Sequence, residues 1–211
     1  KLRKNIFVAL DFSNFDKALE VASSVKDYAA GLKITNELFS IIGKDGLKIL
    51  SSFGLDIFLD LKLLDVPNTV KKTVASIESL KTVKYLTVHT SGGHDMLKSA
   101  NEAAKELELL GVTILTSQSA SKEQVLTLAN LAIKSGIKGV ISSAQEYESV
   151  RSLSKDLKIF CPGIRDVKAT KHDQKRTKSY SEFCDMSKND SNVYCVIGRP
   201  IYESGDAGQN I

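Results

Sequence analysis

Asp60, Lys62 and Asp65 fall within one short run, Asp60-Leu61-Lys62-Leu63-Leu64-Asp65. Residues two apart on a strand share a face, so Asp60 and Lys62 can converge on one site. Carboxylates beside an ammonium hold it protonated. A lysine held that way can deliver a proton as a general acid. The same spacing also fits a plain salt bridge at a strand end, since structural ion-pair networks are common. Asp65 lies past the end of the strand and can turn back toward Lys62 or toward a neighbouring subunit. Lys33 follows Gly31-Leu32 in an otherwise apolar segment. A lysine there is rarely buried without a partner, and Asp60 on the next strand is a natural one.

Other polar residues stand at comparable places. Asp11 ends the first apolar run, His89 the fourth and Thr116 the fifth. Asp11 has a competing reading as a helix N-cap with Ser13. Two segments bring glycine and arginine together: Cys161-Pro162-Gly163-Ile164-Arg165 and Gly198-Arg199-Pro200. Backbone N–H groups and guanidinium ions in such segments suit an anion such as phosphate. The alternative is a pair of tight turns with surface arginines. His89 and His94 do not form an H-E-x-x-H pair, and no G-x-G-x-x-G or G-x-x-x-x-G-K-[ST] pattern occurs.

These residues need elements to position them. Short β-branched runs predict strands over Asn5–Leu10, Ala30–Ile34, Ile57–Leu61, Tyr85–His89, Val112–Thr116, Gly139–Ser142, Lys158–Phe160 and Val193–Ile197. Helical spacing of apolar residues predicts helices over Phe15–Tyr28, Val70–Leu80, Asp95–Leu109, Lys122–Lys134 and Gln145–Ser154. Alternation of strand and helix forces a parallel sheet with helices outside it. Eight strands favour closure, giving an α/β fold: a single (β/α)8 TIM barrel domain over residues 1–211. Such barrels typically take about 250 residues, so this one is small. Seven of the eight predicted units carry a candidate polar residue at or near the strand's C-terminal end, the face where barrels build active sites. Cys161–Arg176 reads as a long irregular loop, uncommon unless functional.

Composition narrows the partners. Lys and Arg number 29 against 25 Asp and Glu, a formal charge of +4 spread along the chain. No basic stripe marks a nucleic-acid binder. Three cysteines without C-x-x-C spacing support neither a disulfide framework nor a zinc ribbon. A reducing, cytoplasmic location fits best. The apolar run Ile6–Leu10 stops at Asp11, too short for a signal peptide, and no stretch approaches a membrane span.

Asp60-Leu61-Lys62-Leu63-Leu64-Asp65-Val66-Pro67-Asn68-Thr69 resembles the D-x-K-x-x-D-[IV]-P-N-T signature of orotidine 5′-phosphate decarboxylases. The similarity continues in order through Val8–Asp11, Gly31–Lys33, Val88–Gly93, Leu115–Ser117, Pro162–Arg165, Asp173-Gln174 and Ile197–Ile201. It implies a cofactor-free, metal-free decarboxylation of orotidine 5′-phosphate to UMP, in a homodimer. It implies Lys62 as the proton donor to C6 of the pyrimidine and Asp60 as the carboxylate beside the substrate carboxylate. Asp65 and Thr69 would reach into the partner's site. Asp11 and Lys33 would contact the ribose hydroxyls, with Lys33 also steadying the charged network. Thr116 would bond the pyrimidine edge. Arg165, Gln174, Gly198 and Arg199 would hold the phosphate, Gln174 from a closing loop. The chain departs from the family pattern after Arg176, where the usual Thr-Pro turn is missing, and it ends short of a full eighth helix.

Two other readings compete. Related sugar-phosphate decarboxylases and synthases share the D-x-K-x-x-D core and bind magnesium through a carboxylate on the second strand. Lys33 stands there in this chain and would repel a cation. A non-catalytic phosphate-binding barrel is the other, and it has no use for both Asp60 and Lys62.

Overall fold

The computed structural model describes residues 5–115, 117–119, 121–165 and 178–203, with Arg165 and Lys178 described in their backbones only. Eight parallel strands close into a barrel: β1 (Ile6–Leu10), β2 (Gly31–Thr35), β3 (Asp56–Leu63), β4 (Val83–His89), β5 (Glu108–Val112), β6 (Gly139–Ile141), β7 (Lys158–Pro162) and β10 (Val193–Ile197). A two-stranded parallel pair, β8 (Ile164–Arg165) and β9 (Lys178–Ser179), stands beside the barrel. The helices are α1 (Phe15–Val25), α2 (Asn36–Ser51), α3 (Pro67–Glu78), α4 (Gly93–Ala103), α5 (Lys122–Lys134), α6 (Tyr147–Arg151), α7 (Tyr180–Lys188) and α8 (Arg199–Tyr202). The α/β barrel expected from the alternation is the observed fold.

The N-terminal parts of the strands are plugged by side chains. Phe7, Phe58, Tyr85, Phe160 and Tyr194 point into the barrel and pack as one aromatic cluster. Phe160 and Tyr194 stack at 4.5 Å, and Phe7 meets Phe160 at 5.3 Å. Burying a side chain of this size stabilises by roughly 1.5–3 kcal/mol. Gly31 is required beside them: a Cβ there would lie 2.3 Å from the Asp56 carbonyl and 2.4 Å from the Phe7 ring. A second apolar layer, including Val8, Leu32, Ile57, Leu86, Ile159 and Cys195, lies between the strands and the helices. With one end of the barrel filled, polar chemistry is left to the C-terminal end.

The largest departure from the expected boundaries is in the fifth unit. The helix expected over Asp95–Leu109 stops at Ala103, and the strand expected over Val112–Thr116 runs from Glu108 to Val112. Ala104 turns extended, and the Glu78 carboxylate accepts the N–H groups of Lys105, Glu106 and Leu107. Those three donors would otherwise continue the helix or go unpaired. Glu78 is buried enough to feel desolvation, but those N–H groups and Lys81 outweigh it and hold its carboxyl at about 2. Glu108 then pairs with Lys158 two strands away. The fifth strand therefore ends earlier than expected, and Thr116 does not end it.

Two helices escaped the sequence reading. Helix α2 is capped by Thr35, whose Oγ1 accepts from Leu38 N–H at 3.3 Å, and it breaks at Gly43 (φ 54°, ψ −159°). Helix α7 opens with a capping box: Ser179 Oγ accepts from Glu182 N–H while Glu182 accepts from Ser179 N–H. The expected irregular stretch after Cys161 is thus part strand, with β7 running to Pro162 and β8 following Gly163 (φ 79°). Cys161 and Cys195 are buried and Cys184 half-buried. Among the described residues, no helix is long and apolar enough to cross a membrane.

Candidate active site

Strands β2 and β3 bring the expected charged residues together at the open end of the barrel. Lys33 Nζ donates to Asp60 Oδ2 at 3.0 Å, and Lys62 Nζ donates to the same oxygen at 2.8 Å. The Asp60 side chain is 9% exposed and Lys33 15%, whereas Lys62 is 36% exposed. Asp60 and Lys33 therefore form the floor and Lys62 the reachable group. Burial alone would raise the Asp60 carboxyl, but the two ammonium ions outweigh it and hold it at about 2. Asp60 is thus ionised at neutral pH.

The other oxygen of Asp60 is also engaged. Thr87, fully buried on β4, donates from Oγ1 to Asp60 Oδ1 at 2.9 Å and accepts from Lys62 N–H at 2.8 Å. Sequence reading passed over Thr87, because a threonine in an apolar strand looks like packing. The signal was its place two residues before His89, on a strand next to the Asp60–Lys62 run. His89 itself is half-buried at the end of β4. Burial and the Lys62 ammonium push its imidazole below the usual value, with Asp60 opposing. His94 turns elsewhere, its Nδ1 lying 3.0 Å from Ser135 Oγ.

Asp65 and Thr69 stand apart from this cluster. Asp65 Oδ1 accepts from Val66 N–H, its own neighbour, and every residue from Leu64 to Thr69 is exposed. Leu64 is 56% and Val66 62% exposed, unusual for apolar side chains. Asp11 is exposed just past β1 and is not the helix cap: Asn14 caps α1, accepting from Lys17 N–H at 2.9 Å. That removes the competing reading of Asp11. Gly198 and Arg199 follow β10, which lies between β1 and β7 in the barrel. Arg199 is the first residue of α8, one position before Pro200, and it is half-exposed. Arg165 is placed by its backbone on β8, paired with Ser179. Thr116 and Gln174 lie outside the described residues.

The sequence profile of the orotidine 5′-phosphate decarboxylase / HUMPS family matches residues 4–211. This chain belongs to that family. A protein of Wolbachia pipientis from Culex pipiens, named orotidine 5′-phosphate decarboxylase, is 40% identical over 95% of this chain and 92% of its own length. A protein of the same name from Idiomarina loihiensis is 37% identical over 95% of this chain and 92% of its own. The crystal structure of orotidine 5′-phosphate decarboxylase from Lactobacillus acidophilus superposes with a TM-score of 0.80 at 30% identity, covering 97% of this chain and 94% of that one. The barrel is thus the fold of this family, whose name covers more than one activity.

Proposed function

We infer that this chain decarboxylates orotidine 5′-phosphate to UMP, a step of pyrimidine biosynthesis, without a cofactor. The observation that carries the reading is the pair of ammonium ions on one buried carboxylate, with Lys62 exposed at the barrel mouth. Loss of carbon dioxide leaves an electron pair on C6 of the pyrimidine, with no conjugated sink to receive it. A fixed ammonium beside C6 stabilises that charge as it develops, and needs no reorganisation to do so. Lys62 then gives a proton to C6, and solvent restores the ammonium. The overall balance is orotidine 5′-phosphate plus one proton to UMP plus carbon dioxide. Asp60, ionised and close to the departing carboxylate, disfavours the bound substrate relative to the state in which that charge has left.

The other assignments complete the same site. Lys33 holds Asp60, and with Asp11 it contacts the ribose hydroxyls. Thr116 bonds the pyrimidine edge. Arg165, Gln174, Gly198 and Arg199 hold the phosphate. Binding energy from this remote group lowers the barrier for the chemical step. Asp65 and Thr69 complete the partner's site in a two-fold homodimer, and the exposed Leu64 and Val66 beside them suit an interface. Residues 1–211 act as one barrel domain in the cytoplasm, with neither nucleic acid nor membrane as a partner. The magnesium-dependent relatives need a carboxylate where Lys33 stands. Here an ammonium bonded to Asp60 gives that position the wrong sign of charge for a cation.

Arg199 provides a test of the substrate. A charge-assisted hydrogen bond to phosphate is worth roughly 1.5–3 kcal/mol. Arg199→Ala is expected to lower kcat/KM for orotidine 5′-phosphate at least about tenfold, at about 1.4 kcal/mol per decade. Decarboxylation of orotidine, which has no phosphate, is expected to stay unchanged. Steady-state rates on both compounds, with matched thermal stability, decide it. An equal fall on both would remove Arg199 from the phosphate site.

A further inference from the structure

Lys62 has φ 51°, in the left-handed region that a lysine rarely adopts. The barrel ladder is broken around it. Leu59 pairs with Leu86 and Leu63 with Val88, so Asp60, Leu61 and Lys62 face the single residue Thr87. Residues of β3 are thus in excess, and the strand bulges at the reacting lysine. A bulge costs ladder hydrogen bonds, and a left-handed lysine costs of order 1 kcal/mol, so something must hold the conformation. Thr87 Oγ1 takes the Lys62 N–H at 2.8 Å in place of a ladder carbonyl. The same hydroxyl donates a hydrogen bond to Asp60 Oδ1 at 2.9 Å. Lys62 Nζ returns to Asp60 Oδ2 at 2.8 Å. Lys62 is therefore tied to one carboxylate at both its ends, directly through the ammonium and through Thr87 at the backbone.

We propose that the Thr87 hydroxyl is a positioning residue that locks the left-handed bulge at Lys62 and so aims its ammonium and the Asp60 carboxylate at the substrate. Thr87 is fully buried. A hydroxyl is needed because the role calls for one acceptor and one donor on a single atom. Valine has the same shape and neither function. The inference rests on the decarboxylase reading for its kinetic consequence, but its geometric content stands alone.

Thr87→Val, Thr87→Ala and Thr87→Ser separate the hydroxyl from packing. The valine and alanine variants are expected to lose kcat by about tenfold or more, with KM for orotidine 5′-phosphate within about threefold of wild type. Serine, which keeps the hydroxyl, is expected to hold kcat within about threefold. Crystal structures of the serine and valine variants provide the second readout. Lys62 is expected to keep its positive φ with serine and to leave it with valine. Valine keeping kcat within twofold, serine falling as far as valine, or valine leaving Lys62 in place would each overturn the proposal. If the wild-type protein makes no UMP, the functional reading falls, and the two crystal structures still decide what Thr87 does.

Discussion

Lys62→Ala is expected to abolish decarboxylation to within the sensitivity of an ordinary assay, a loss of at least about 10⁴ in kcat. Two contributions disappear together. Proton delivery by a positioned acid is typically worth about 10²–10⁴, and a preorganised charge at the developing carbanion about 10²–10³. Alanine leaves Asp60 bonded to Lys33 and Thr87, so the floor of the site remains paired. The protein should therefore fold, and circular dichroism and thermal melting serve as the control. Lys62→Arg is informative beside it. The guanidinium keeps the positive charge but is effectively always protonated and bulkier, so it should rescue little. Turnover of the alanine variant within tenfold of wild type would remove Lys62 from the chemistry.

A mixture of two dead proteins is expected to come alive. Among the described residues, Asp65 bonds only the N–H of its neighbour Val66, on an exposed segment that includes Leu64 and Val66. If it completes the partner's site, Lys62→Ala and Asp65→Ala are each inactive as homodimers. A heterodimer of the two has one site with neither defect: Lys62 from one protomer and Asp65 from the other. Random exchange of equal amounts makes half the dimers heterodimers, each with one good site of two. About one quarter of wild-type activity should return, as an isologous shared site requires. Native mass spectrometry reports whether subunits exchanged. Exchange without recovered activity would place Asp65 in its own protomer's site.

Much of this site was legible because its residues break the pattern of their elements. A lysine inside an apolar strand has to be paired, and Lys33 is paired with the partner the strand order offered, Asp60. The Asp60–Lys62 contact was also expected, but its mechanism was not. Simple alternation along a strand predicts the contact, whereas a bulge with a left-handed Lys62 is what brings the two together. Backbone φ leaves little trace in side-chain types unless glycine marks it, and here a lysine takes the strain. Thr87 leaves only a weak trace for a related reason, since its role depends on a register shift in the neighbouring strand.

The errors in the fold have similar causes. The helix over Asp95–Leu109 was extended too far because Leu107 and Leu109 continue an apolar pattern that suits a strand as well as a helix. What stops the helix is Glu78, far away in sequence, which takes the three N–H groups a longer helix would have used. No local signal marks a cap donated from another helix. The start of α7 was different: Ser179 and Glu182 have capping-box spacing, and the box is present. That signal is local and lies in the sequence itself, at Ser179 and Glu182.

The central claim is cofactor-free decarboxylation with the proton delivered from Lys62 to C6. Protein dialysed against EDTA and transferred to D2O, then given orotidine 5′-phosphate, tests it in one vessel. The reading requires UMP and carbon dioxide in equal amounts, one deuterium at C6 of UMP, and a rate that the chelator does not change. It also requires that Lys62→Ala give no product under the same conditions. Activity that disappears with EDTA and returns with magnesium, or a protein that makes no UMP at all, would contradict it.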